Sequence, residues 1–118
     1  MKQSEKALRI LAKIRDVLQT EEHGLDNPEA KLRISKLIPV LRMHTSGFSQ
    51  ENYIREQLSK LQQYKEYLFG SGKAIFWMGI EDCKLDMEMC CWKIEHSIAL
   101  HAKNREGAHF IPKPPRRP

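Results

Sequence analysis

The chain is predicted to be all-α: an antiparallel four-helix bundle with a long C-terminal helix and a proline-rich basic tail. Three observations predict this. Apolar residues recur at steps of three and four through most of the 118 residues. Helix-start residues precede these stretches at Ser4, Asn27-Pro28 and Ser49. Glycines punctuate the chain between them and after the last, at Gly24, Gly47, Gly70 and Gly107. The helices are expected near 4–22, 28–44, 50–69 and 73–103. Residues 1–106 would form one helical domain and residues 107–118 an extended tail.

In the first helix Ser4 is the expected cap. Ala7, Leu11, Ile14 and Leu18 form its inward row, widened by Ile10 and Val17. Gly24 tolerates the left-handed conformation that closes a helix, with Leu25 packing back. The second helix opens at Asp26-Asn27-Pro28-Glu29. Asn27 offers an oxygen to the unpaired amides, Pro28 sits where no donor is needed, and Glu29 meets the positive helix end. Ala30, Ile34, Leu37, Ile38 and Leu41 face inward. Pro39 removes a backbone donor, but its ring falls on the polar side, so a kink is expected rather than a break. In the third helix Ser49 is the expected cap and Ile54, Leu58, Leu61 and Leu68 the core row. Tyr53, Tyr64 and Tyr67 roof one edge with their hydroxyls in water.

The last helix differs from the other three. One apolar row runs through Phe76, Ile80, Cys83, Met87, Cys90, Ile94 and Ile98. A second runs through Met78, Leu85, Met89, Trp92 and Ala99, with His96 in line. At about 100° per residue the two rows lie nearly opposite. Two apolar faces need two covers, from the chain itself or from a partner. Some thirty residues would span about 45 Å, so part of this helix should protrude or be shared. An alternative is a hairpin within 73–94, giving an α+β fold, because Leu85, Met87 and Met89 alternate with Lys84, Asp86 and Glu88. Helix is preferred: Leu, Met, Glu and Lys are good helix formers, and the seven-position row outlasts the alternation.

Composition narrows the class. Hydrophobic residues make up 41%, enough for a core and too many for wholesale disorder. The formal charge is +5, but Arg105, Lys113, Arg116 and Arg117 against Glu106 place +3 of it in the last fourteen residues. Nucleic-acid binders usually carry their charge on the folded body. The longest uncharged apolar run, 74–80, is too short to span a bilayer, and MKQSEKALRILAKIR has no apolar leader core. A cytoplasmic chain with no membrane contact is expected. Its three cysteines, Cys83, Cys90 and Cys91, read as buried reduced thiols rather than a disulfide framework.

Chemistry-bearing patterns are sparse. The cysteines lack C-x-x-C spacing, and His96 and His101 are five apart, on different faces of a helix. Gly70-Ser71-Gly72-Lys73 resembles part of a phosphate-binding turn, but Tyr67 stands where the earlier glycine belongs and Ala74 where the hydroxyl belongs. No catalytic residue, metal, cofactor or small-molecule ligand is expected.

The expected function is therefore that of a non-enzymatic interaction or regulatory protein, an inhibitor or adaptor. It would bind a protein partner, or itself as a homodimer, through Met78, Leu85, Met89 and Trp92. The alternative is a small helical nucleic-acid-binding protein using Lys6, Arg9, Lys13, Lys31, Arg33 and the tail. The tail also has the apolar-Pro-x-apolar-Pro-x-basic layout of ligands for SH3-like grooves, through Ile111, Pro112, Pro114, Pro115 and Arg117.

Overall fold

The computed structural model describes residues 2–22, 26–70, 79–108 and 112. Every regular element among them is helical. α1 spans Gln3–Thr20, α2 Pro28–His44, α3 Glu51–Leu68 and α4 Ile80–His101, and a π-helical turn, Ala102–Glu106, continues α4. The helices pack in a ring, α1 on α2, α2 on α3, α3 on α4 and α4 on α1, so α2 and α4 occupy opposite corners.

The inward rows meet at the centre of this ring. Leu11, Ile14, Leu18, Ile34, Leu41, Ile54, Leu58, Leu61, Leu68, Met87, Ile94 and Ile98 are buried. Each such side chain stabilises the fold by roughly 1.5–3 kcal/mol on burial. Polar contacts then set how the helices are staggered. Gln3 Nε2 donates to the carbonyls of His44 (2.9 Å) and Ser46 (3.3 Å), while Arg33 reaches Asp16 (4.0 Å) and Glu21 (3.2 Å). The start of α1 thus lies beside the end of α2. Lys31 reaches Glu66, and Cys83 Sγ donates to the Tyr64 carbonyl, so the end of α3 meets the starts of both α2 and α4.

The start of α2 forms as its sequence dictates: Asn27 Oδ1 accepts from the Ala30 amide at 3.1 Å, with Pro28 at the first helical position. Pro39 sits inside a continuous α2 with its ring exposed, so the helix is not broken there. Two other expected caps do not form. Ser4 lies within α1, whose N-cap is Lys2, and its hydroxyl is drawn to Glu106. Gln50 rather than Ser49 holds the N-cap position of α3, without a side-chain capping bond, and the Glu51 carboxylate accepts from the Gly47 amide in the preceding turn. Gly47 has φ +86°, a conformation that favours glycine. Tyr67 is buried rather than roofing an edge.

α4 is shorter than expected. Gly79 is extended (φ −81°, ψ 166°) and caps the helix, which opens at Ile80 rather than near residue 73 and runs for 22 residues. Glycine gains nothing from helical φ/ψ that other conformations deny it, so it ends the segment cheaply. Residues 80–94 are helical, which removes the hairpin alternative there, and residues 73–78 lie outside the described residues. The protruding thirty-residue helix is therefore not what forms over the described stretch.

Candidate functional site

Three of the four residues expected at the α4 contact face share one side of the helix. Leu85, Met89 and Trp92 project opposite Met87, Ile94 and Ile98, and each is partly exposed. Met78 lies outside the described residues. His96 extends the row, exposed, with its ring 6.1 Å from that of Trp92. The Trp92 Nε1–H is shielded from solvent and has no hydrogen-bond partner among the described residues. A stripped indole N–H without an acceptor costs about 1–3 kcal/mol.

The five basic residues of the α1–α2 set are divided. Lys6, Arg9 and Lys13 lie exposed on α1. Arg33 is held by Asp16 and Glu21, and Lys31 turns to the other side of α2, 3.6 Å from both Asp26 and Glu66. Lys65 also pairs with Glu66, and its ammonium holds the Glu66 carboxyl below the usual carboxylate range. A groove of about 450 Å³ opens between α1 and α2, floored by Ala12 and Leu37 and rimmed by Lys13 and Lys36. α2 also carries exposed apolar side chains off its buried row: Leu32 at 53%, Val40 at 38% and Met43 at 63%. The inward-row reading of α2 passed over Lys36, Leu32, Val40 and Met43. Their signal was their helical angle, which places them off the buried row.

A polar cluster joins the start of α1 to the turn that follows α4. Glu106, in the π-helical turn, accepts from the Ser4 hydroxyl and from the Ser4 amide (3.3 Å), and lies 3.5 Å from His101 Nε2. His101 stacks on Phe48, with ring centroids 3.7 Å apart and planes 2° from parallel. A carboxylate at the first turn of α1 satisfies an unpaired amide and meets the positive helix end. The serine does not form a nucleophile: its hydroxyl faces the carboxylate rather than the imidazole, and the residue is 2% exposed. The cluster is a clasp, and 102 residues of sequence separation hid it.

The cysteines are buried and free. Burial pushes the thiols of Cys83 and Cys91 up to about 12 and that of Cys90 up to about 11, which disfavours the thiolate at neutral pH. Among the described residues no group of three or more His, Cys, Asp or Glu could hold a metal ion. No helix among them is long and apolar enough to cross a membrane. Of the tail set, Pro112 is partly exposed, and Ile111, Pro114, Pro115 and Arg117 lie outside the described residues. No protein-family model matches this chain, and no curated protein or solved structure matches it either.

Proposed function

We propose that this chain is a non-enzymatic interaction protein, an antiparallel four-helix bundle with a proline-rich basic tail that docks on a protein partner through the outer face of α4. The observation that carries this reading is the placement of Leu85, Met89 and Trp92 on the side of α4 away from the core. Aromatic and methionine side chains grouped on one helix face are the material of interface anchors. The Trp92 N–H, without a partner among the described residues, adds to it, because an interface that turns the indole and supplies an acceptor recovers the cost of leaving it bare. An adaptor or an inhibitor that covers a partner's site needs no catalytic group.

Nucleic-acid binding has less support, because Arg33 and Lys31 of its five residues already serve ion pairs within the chain. Light scattering on a sizing column, run on the wild type and Trp92→Glu together, tests the proposal. A wild-type dimer converted to a folded monomer supports it, with self-association as the mode. A monomer that Trp92→Glu unfolds places the indole in the protein's own packing and defeats it.

A further inference from the structure

We propose that the outer α1–α2 face, at the corner of the ring opposite α4, docks an acidic amphipathic helix of a partner protein. The contacts Gln3–Ser46 and Asp16–Arg33 set the stagger of the two helices. With Gln3 beside His44 and Ser46 at one end and Asp16 beside Arg33 at the other, residues 6–13 of α1 run alongside residues 36–43 of α2, and Lys13 and Lys36 line the same groove. Lys6, Arg9, Lys13 and Lys36 are exposed and have no ion-pair partner among the described residues. The acids at the far end of the face are already engaged, since Arg33 holds Asp16 and Glu21. The rest of the face therefore carries four exposed cations, none of them in an ion pair among the described residues.

Charge alone would suit a phosphate backbone equally well, and the apolar residues decide between them. Val40 and Met43 are exposed on the α2 segment that runs alongside those cations, and Leu32 is exposed further along the same helix. Phosphates and riboses reward cations and hydrogen-bond donors but offer methionine, valine and leucine little. A helix with an apolar row flanked by glutamates satisfies both halves of the pattern. Its apolar row would lie over Ala12, Leu37, Val40 and Met43, and its carboxylates would reach the lysines on the rim. Methionine, unbranched and polarisable, adapts to such a partner more readily than a branched side chain. This face is separate from the α4 face, so either can fail without the other.

The test uses the full chain and a fluorescein-labelled synthetic peptide of about 18 residues, long enough to be helical, with leucines on one face and glutamates beside them. Anisotropy titrations compare it with the same peptide carrying serine for leucine, and with labelled duplex DNA. Saturable binding of the amphipathic peptide is expected, weakened about tenfold or more by Lys13→Glu with Lys36→Glu, and several-fold by Met43→Ser. Circular dichroism checks that these surface variants remain folded. The proposal is overturned if the wild type does not bind the peptide, or if the charge-reversed variant binds it equally. It is also overturned if the serine peptide binds as tightly. Tighter binding to DNA, falling steeply with salt and indifferent to Met43→Ser, would assign the face to nucleic acid instead.

Discussion

The outer faces of α2 and α4 look out from opposite corners of the ring, and they reverse what their sequences suggest. α4 has the richer outer row, with Leu85, Met89 and Trp92, yet each of these is partly covered. α2 reads as an ordinary one-faced helix, but among the described residues it carries three of the four exposed large hydrophobic side chains, Leu32, Val40 and Met43. The apolar content of a row states how much surface calls for cover. Exposure states how much has been covered, and the two differ because cover comes from elsewhere in the chain.

Substitutions on the two helices test that contrast. The largest effect belongs to the inner row of α4, where Ile94→Ala should cost about 2–5 kcal/mol in urea unfolding. Trp92→Ala should cost less than Ile94→Ala, since its side chain is partly exposed. An equal cost would mean that the outer face of α4 is core in all but position.

The thiols of α4 report the same burial through pH. Their folded values, about 12, 11 and 12, lie above the ordinary 9.0. The unfolded chain therefore releases these protons first. The stability they contribute is complete below pH 9 and is lost as pH rises through their folded values. Urea midpoints measured between pH 8 and about 10.5 should fall, and Cys91→Ala should flatten the decline relative to its own midpoint at pH 8. A decline of unchanged slope in that variant would detach it from Cys91.

The clasp is next in size. Glu106→Gln retains the shape but removes the charge at the first turn of α1, and should cost about 1 kcal/mol. The smallest effect is expected on the outer face of α2: Met43→Ser should stay within about 0.5 kcal/mol of the wild type. A larger loss would show that this face takes part in the fold and is not free to receive a partner.

Much of the helical framework was legible from residues near one another in the chain. Ala7, Leu11, Ile14 and Leu18 are buried as their spacing requires, and Asn27-Pro28 begins α2 through a bond spanning three residues. Other features were not. Lys65 and Gln57 are buried, although a lysine and a glutamine read as surface residues. Lys65 tolerates this because its ammonium still reaches Glu66. Ser4 looked like a cap and became the partner of Glu106 instead, because the end of α4 arrives beside the start of α1.

What the sequence determined by itself is therefore local: the helical character of the described chain, the inward rows, the Asn27 cap and the burial of the cysteines. These depend on periodicity, φ/ψ preference and side-chain type within a few residues. Tertiary structure decided the rest: the clasp between Ser4, Glu106 and His101, the division of the basic residues between ion pairs and open surface, and which apolar rows are covered. Burial belongs to two surfaces at once, so a single row, however apolar, cannot state what will lie against it.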